Sequence, residues 1–422
     1  MKQSKMRVVV SMAESAGIYI SVPFCKAKCT FCNFASGVFA ADRMQAYVDC
    51  VCREIREARE VTGRLGARLP GTVDSVYFGG GTPSLLAAGQ FRQIFARLRG
   101  EFAIAPNAEI TLECAPGQLS DETLAELLLQ GMNRISFGVQ SFVDEETAAV
   151  GRLHTRHQCE AEFARVRAAG VEEINVDLIA GLPHQTAESW RYSVERAIAS
   201  GATHVSVYML EVDEESRLGR EMLEKGSRYS ASTVPSEDEA ADWYQEACVA
   251  LDEAGLRQYE ISNFAREGHF SRHNLKYWRR EPYLGFGLDA HSMLLTGDGA
   301  VRFANTSDLG EYLGDGPDAE QAGLKVLARK SEVLEAEAID IIGRGEAFEE
   351  SLFLGLRLNE GVGFEALRGQ FGEAMLQSVM PALHEVRDAG LLELNTERMK
   401  LTAHGRVVSN EVFSRLLVES TA

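Results

Sequence analysis

A chain of 422 residues exceeds the usual single-domain size, and its 45% hydrophobic content supplies apolar material for a large core beside a smaller second unit. Its 43 Lys and Arg stand against 62 Asp and Glu, and the formal net charge of -19 excludes a protein whose main work is gripping phosphate backbones. No nucleic acid is expected as a partner, and the composition shows neither repeats nor low-complexity tracts.

Residues 1–17 have a basic start but no apolar stretch of signal-peptide length. Nowhere does an apolar segment approach the roughly 20 residues needed to cross a bilayer. A cytoplasmic setting is therefore expected, with any membrane contact peripheral. In that reducing setting, clustered cysteines are more often metal ligands than disulfides.

Taken in chain order from residue 17 to about residue 210, short β-branched or apolar runs alternate with amphipathic helical stretches. The predicted strands are GIYISVP, VDSVYFGG, AEITLEC, RISFGVQ, EINVDLIAG and HVSVYMLE, read as near-continuous apolar runs. Between them, the patterns at 43–61, 85–99, 121–130 and 187–199 predict helices, several opened by Ser, Thr or Asp at the N-cap. Such strand-helix units predict a parallel sheet covered by helices. The residues with chemical potential fall at C-terminal strand ends: Cys25 after the first, Gly79 to Thr82 at the second, Glu113 at the third, Gln140 at the fourth, and Asp177 late in the fifth. Ends of several strands converge on one mouth in a barrel, whereas a flat doubly wound sheet focuses its site at a switch point. The expected fold is α/β, a partial (β/α)6 TIM-like barrel over residues 1–212.

Residues 213–236 lack a clean period and are predicted as an irregular connection. A helix over 237–253 follows, then an aromatic and histidine-rich run ending in HNLKYW and YLGFGLDAHSM; residues 213–325 are expected to extend the barrel. Residues 326–422 predict a small C-terminal helical domain, with apolar runs at 391–394 and 399–402 forming a hairpin around polar 395–398. That order resembles a winged helix, but the acidic balance and the lack of a Lys/Arg-rich helix assign it a packing role.

Cys25, Cys29 and Cys32 form CxxxCxxC directly after the first strand. Tetrahedral zinc wants four ligands, commonly from separated pairs, and no second CxxC is present; zinc with a distant fourth ligand is an alternative. A [4Fe-4S] cubane normally takes one thiolate per iron, so three leave one iron open to an external ligand. Phe24, Phe31 and Phe34 would shield such a cluster, or serve as core aromatics. Cys50, Cys52, Cys114, Cys159 and Cys248 are expected as buried structural thiols.

CxxxCxxC after a first strand, with an aromatic before the last cysteine, is similar to the radical S-adenosylmethionine (SAM) superfamily. The stretch GIYISVPFCKAKCTFCNF resembles its coproporphyrinogen oxidase-like branch, and the resemblance covers nearly the whole chain. It implies a [4Fe-4S] cluster on Cys25, Cys29 and Cys32 whose open iron chelates the amino and carboxylate groups of SAM, and one-electron cleavage of SAM to a 5'-deoxyadenosyl radical. It further implies SAM contacts at Gly80, Gly81 and Thr82 of FGGGTPSLL, Glu113 of ECAP, Gln140 of GVQS, Arg152 of GRLH and Asp177 of NVDLIAGLP, with Tyr19 and Phe31 beside the cysteines. The residue types suit such contacts, since glycine permits close backbone approach, carboxylates accept from ammonium or ribose hydroxyls, and Arg pairs a carboxylate. Taken singly, the glycine turn reads equally as a tight connection, and Tyr19 as a core residue. The chain departs from the branch at Ser21, where His is frequent, and at Ala115, where Asn is frequent.

The branch holds two groups. The anaerobic coproporphyrinogen III oxidases carry a further Cys two residues after the third; here that position is Phe34. HemW-like proteins lack it, bind heme, act as heme chaperones and carry HNxxYW, which this chain matches with HNLKYW at 273–278. The resemblance implies a heme-binding radical SAM protein that passes heme to an acceptor protein and is served by a reductant protein. It places His273 on the heme iron, Tyr277 and Trp278 on the porphyrin, and His269 or His291 as a second ligand. By residue type alone, His273 is a hydrogen-bonding residue, and Tyr277 and Trp278 are packing residues. An oxygen-independent coproporphyrinogen III dehydrogenase of porphyrin metabolism is the alternative, and a structural iron-sulfur or zinc protein the third reading.

Overall fold

The computed structural model describes residues 15–297, 299–314 and 339–416. The expectations for residues 1–14 and for the domain boundary at 325/326 lie outside the described residues. Six strands form in sequence order: β1 (Ser15–Val22), β2 (Thr72–Gly80), β3 (Ala103–Cys114), β4 (Arg134–Gln140), β5 (Glu173–Ala180) and β6 (His204–Met209). Each pairs in parallel with the next. The return segments carry α1 (Arg43–Arg64), α2 (Ala88–Glu101), α3 (Asp121–Leu129), α4 (Asp144–Ala149), α5 (Arg156–Ala168) and α6 (Ala187–Ala199). This is the partial (β/α)6 barrel.

The strands obey a period of two more strictly than continuous apolar runs would. Ile18, Ile20, Val76, Phe78, Ile135, Phe137, Val176 and Val205 are buried in one large core with Val48, Ile55, Phe91, Phe95, Leu127, Val166 and Trp190 of the helices. The alternate positions are polar: Tyr19, Ser75 and Tyr77, Glu109, Thr111 and Glu113, Arg134 and Ser136, Asn175 and Asp177, His204 and Ser206. They share the opposite face, the barrel interior. Register keeps them level, with Tyr19 beside Tyr77 and Tyr77 beside Thr111.

After β6, residues 213–236 are more regular than their pattern predicts. They contain α7 (Arg217–Leu223) and a 3-10 turn over Arg228–Thr233. A helix this short needs no apolar period; Ser216 caps it by accepting from the Gly219 N–H at 2.9 Å, and buried Leu218 anchors it. Then come α8 (Glu237–Glu253), β7 (Arg257–Gln258), β8 (Asn263–Ala265), α9 (Arg272–Trp278), β9 (Tyr283–Phe286), β10 (His291–Leu295) and β11 (Ala300–Ala304), and after residue 338, β12 (Ile339–Ile342). Among the described residues, these strands extend the sheet at both edges to twelve, β8 and β7 beyond β6, and β9 to β12 beyond β1.

The C-terminal part is helical, with Arg344–Leu356, Phe364–Phe371 and Glu373–Asp388 packed around Leu352, Leu367, Leu383, Met399 and Val412. Its hairpin pairs Leu392 with Leu401 and Leu394 with Met399, inside the two predicted runs. Val362–Gly363 adds a third strand, too short to leave a periodic signal.

Helix α9 closes the floor of the barrel. The buried Glu109 carboxylate accepts from the backbone N–H of Arg272 at 3.1 Å and His273 at 3.0 Å, and pairs with Arg134 Nε at 3.1 Å. Arg134 in turn donates to the carbonyls of His269 and Phe270. Lys276, buried, reaches Asp74 at 2.8 Å and Glu281 at 3.1 Å. Gly17 makes the room: a Cβ there would stand 2.9 Å from Lys276 Cδ and 3.1 Å from His273 Cε1.

Truncating one partner of a buried ion pair leaves the other charge unpaired, so Glu109→Ala is expected to cost about 3 to 5 kcal/mol in chemical denaturation. Hydrogen exchange should show the loss concentrated in α9, with Glu109→Gln milder. Unchanged α9 protection in Glu109→Ala would contradict this account of the floor.

Candidate functional site

A cavity of about 490 Å³ opens at the other end, where the strands terminate. Its volume lies within the range of small-molecule sites. The loop after β1 brings the three cysteines to it and is held from two sides: Cys25 N–H donates to the Gly37 carbonyl at 2.9 Å, and Thr30 N–H to the Val150 carbonyl at 3.1 Å. Cys25, Cys29 and Cys32 are free thiols, and all three line the cavity. Burial raises the Cys25 and Cys32 thiols. The flanking aromatics divide their work. Phe24 is core, edge-on to Phe39 and Tyr47; Phe31 packs on Val150, Ile179 and Leu182 as part of the wall; Phe34 is 59% exposed at the rim.

The β2 end turns tightly beside that loop. Gly80 has φ +100°, and a Cβ on Gly81 would meet Cys25 Sγ at 2.9 Å and the Val22 carbonyl at 2.8 Å. Only glycine lets this strand end lie so close to the cysteine. The N–H groups of Gly80, Gly81 and Thr82 are engaged by Glu113, Val22 and Phe24. An ammonium needs acceptors, so Glu113 and the Thr82 hydroxyl, 3.8 Å from Cys25 Sγ, are the side-chain candidates here.

Glu113 lies beneath the glycine turn, accepting from Tyr77 Oη at 2.9 Å and Gly80 N–H at 3.2 Å. Burial pushes its carboxyl up to about 7, against those two hydrogen bonds and with Asp177 adding to the rise. Asp177 is raised by burial too, and is held by Asn175 Nδ2 at 2.7 Å and Ser136 Oγ at 3.3 Å. Arg152 approaches Cys29 Sγ at 3.5 Å and donates to the Gly138 carbonyl; its buried Nε has no hydrogen-bond partner among the described residues. Gln140 has φ +70° where the β4 and β5 registers slip, a bulge of the kind that re-aims a side chain near a site. Two carboxyls that burial resists charging, facing an arginine with an unpaired N–H, suit a ligand bearing both a cationic and an anionic group.

The donor set also fits a cluster. Three thiols lining one cavity can supply one ligand to each of three irons of a cubane and leave the fourth iron open. His269 and His273 stand at HxxxH spacing, but at the floor, bonded to Glu173 and to Ser75 and Tyr277, away from the cysteines.

Of the residues implied as SAM contacts, Phe31, Gly80, Gly81, Thr82, Glu113, Gln140, Arg152 and Asp177 line the cavity with the cysteines. Tyr19 stands behind them, stacked on Tyr77 with ring centroids 6.0 Å apart. Ser136, Tyr208 and Met209 also line it and were not singled out by sequence. The signal for the first two was the period-two polar row of β4 and β6.

The HNLKYW residues are elsewhere. His273 is 1% exposed, its Nδ1 bonded to Ser75 Oγ and its Nε2 to Tyr277 Oη, both at 2.9 Å, and burial pushes it down to about 3. Tyr277 packs edge-on to Tyr283, and Trp278 lies beneath the Arg357 guanidinium at 4.3 Å. Iron ligation by His273 would require one of its two hydrogen bonds to break. His269 is bonded to Glu173 Oε1 at 2.7 Å, and His291 is exposed at the start of β10. Cys50, Cys52, Cys114 and Cys159 are buried and Cys248 half-buried; burial pushes Cys114 and Cys159 up to about 12 and Cys248 to about 11, the mark of unreactive thiols. No helix among the described residues is long and apolar enough to cross a membrane.

A family model described as the Radical SAM superfamily matches residues 19–197, and one described as the HemN C-terminal domain matches residues 344–408. The first of these families implies a [4Fe-4S] cluster and SAM. The heme chaperone HemW of Lactococcus lactis is 30% identical over 401 residues, covering 95% of this chain and 97% of that protein. The heme chaperone HemW of Synechocystis is 32% identical over 400 residues, covering 93% and 90% respectively. Among solved structures, the coproporphyrinogen III oxidase HemN of Escherichia coli superposes with a TM-score of 0.77 at 23% identity, over 96% of this chain and 90% of that one, a likeness of fold. The chain therefore belongs to the radical SAM superfamily, in the family of the heme chaperone HemW.

Proposed function

We propose that this protein holds a [4Fe-4S] cluster and SAM at the barrel mouth and serves as a cytoplasmic heme chaperone, passing heme to an acceptor protein and served by a reductant protein. One observation carries the reading: the cysteine loop, the glycine turn and the Glu113, Asp177 and Arg152 set converge on a single cavity, in a chain of this family. Cys25, Cys29 and Cys32 would hold the cluster, which when bound supplies one electron for SAM cleavage. Glu113 and Asp177 accept from the ammonium or ribose hydroxyls, and Arg152 pairs the carboxylate. Phe31 keeps water from the wall. A division into 1–212, 213–325 and 326–422 is supported by the strands added at both sheet edges and by the separate C-terminal core.

Two positions are proposed for the heme. HNLKYW favours the floor, with His273, Tyr277 and Trp278 as contacts, and requires α9 to open. The mouth is favoured by accessible apolar surface, since Phe34, Tyr208 and Met209 are 59%, 42% and 38% exposed around the cavity. Oxidation of coproporphyrinogen III is the second reading, favoured by the likeness of fold to HemN. Phe34 stands against it, where the oxidases carry a cysteine.

Anaerobic reconstitution should give a reduced-cluster EPR signal that SAM perturbs. Cys25→Ser, Cys29→Ser and Cys32→Ser should each lose bound iron, and Arg152→Ala should weaken SAM binding about tenfold, the loss of a charge-assisted hydrogen bond. A signal indifferent to SAM would overturn the SAM assignment. Incubated anaerobically with SAM, reductant and coproporphyrinogen III, the protein should form no protoporphyrinogen IX; turnover there would replace the chaperone reading with the oxidase.

A further inference from the structure

The interior of the barrel holds a continuous column from floor to mouth. At its foot the His273 ring is fixed by Ser75 and Tyr277 through both nitrogens. That ring stacks on Tyr77, with centroids 5.2 Å apart and planes inclined by 28°, and it touches the Tyr19 ring at 6.4 Å. Tyr77 then donates to Glu113 Oε1 at 2.9 Å, while Gly80 N–H donates to the other carboxylate oxygen at 3.2 Å. We propose that His273 is a positioning residue for the mouth cavity, holding Tyr77 so that its hydroxyl stays on Glu113. The proposal rests on the reading of Glu113 as a SAM contact.

Two features separate this role from that of a filler of the core. A histidine buried with both nitrogens bonded is oriented by directional contacts that an apolar residue of similar size lacks, and Gly17 packs closely on it, where a Cβ would stand 3.1 Å from its Cε1. Its neighbours, moreover, belong to β1 and β2, the strands that deliver Cys25 and the glycine turn. Truncation at 273 removes the ring that stacks on one face of Tyr77.

The consequence is legible in pH dependence. Glu113 is faced by Tyr19 from β1, Tyr77 from β2, Asp177 from β5, Tyr208 from β6 and Tyr277 from α9. The tyrosines are raised and neutral, so Asp177 is the charged neighbour of this set, and the Tyr77 and Gly80 hydrogen bonds are what favour the carboxylate. SAM's donors are accepted best by the ionised form. Affinity therefore falls as pH drops through the Glu113 titration, near 7 in the ligand-free protein. Without the Tyr77 donor that titration moves upward.

The test uses full-length, anaerobically reconstituted protein and equilibrium dialysis of labelled SAM from about pH 6 to about pH 9, with a parallel heme absorbance titration. His273→Ala should bind SAM roughly tenfold more weakly at neutral pH, with the fall in affinity shifted up by about one pH unit, and should converge with wild type at alkaline pH. His273→Gln, which keeps a donor and an acceptor, should lie between them. Tyr77→Phe, which removes only the hydroxyl, should reproduce the shift, and His273→Gln serves if His273→Ala does not fold, an unshifted profile in it counting against the proposal. Heme absorbance should change in His273→Ala if heme sits at the floor and stay unchanged if it sits at the rim, with the SAM shift expected in either case. An unshifted pH profile, or an equal loss of affinity at every pH, overturns the proposal, as does lost heme binding with SAM affinity intact. Absence of SAM binding by wild type would instead remove the SAM assignment on which the proposal stands.

Discussion

Everything in the barrel depends on how Glu109 is satisfied. A carboxylate this far from solvent is tolerable only when paired and hydrogen-bonded, and Glu109 draws its partners from two places, Arg134 on the adjoining strand and the first N–H groups of α9. The same contacts fix α9 across the floor. The inward row of Tyr77, Glu113, Ser136 and Asp177 runs between that floor and the mouth, so a polar lining that would otherwise destabilise a core is available as a binding surface.

At that opening the electrostatics are unbalanced until a ligand arrives. Glu113 and Asp177 are both raised by burial, and the nearby Arg152 leaves a buried N–H without a partner. Such a site suits a molecule that carries both a cationic and an anionic group. The cysteine loop adjoins these groups: Arg152 approaches Cys29 Sγ at 3.5 Å, and a side chain at residue 81 would collide with Cys25. Metal donors and organic-ligand groups thus share one volume, which is the arrangement a cluster with an open iron requires.

Much of this was legible in the sequence, for reasons visible in particular residues. Helix 187–199 is bounded as predicted because Thr186 caps it, accepting from Ser189 N–H at 3.2 Å, and the strand ends converge because the six strands are parallel and consecutive. CxxxCxxC was readable because a loop of adjacent residues supplies all three thiols. The polar row was underread: β5 carries Asn175 and Asp177 among Val176, Leu178 and Ile179, and a mainly apolar composition hides a strict alternation. α7 and the two-residue strand at Val362 were missed because elements that short are set by caps and tertiary pairing rather than by periodicity. HNLKYW was recognised as a motif, but no spacing within it tells which end of a barrel it occupies. That depends on Glu109 and Arg134, which lie well over a hundred residues away in the chain.

That placement changes the relation between the two motifs. The cysteines sit at the mouth and His273 at the floor, so the residues do not converge on one ligand; what joins them is the Tyr77 and Glu113 column. Coupling through such a column is reciprocal, because any free energy by which the floor biases binding at the mouth is the same free energy by which a ligand at the mouth biases the floor. A ligand that fixes Glu113 steadies Tyr77, and a steadied Tyr77 holds His273 and with it α9. SAM at the mouth would then stabilise the closed floor, and any heme that needed α9 to open would bind against SAM, whereas heme taken at the exposed rim of Phe34 and Met209 would not. The sign of the SAM effect on heme affinity is therefore set by which end of the barrel the heme occupies.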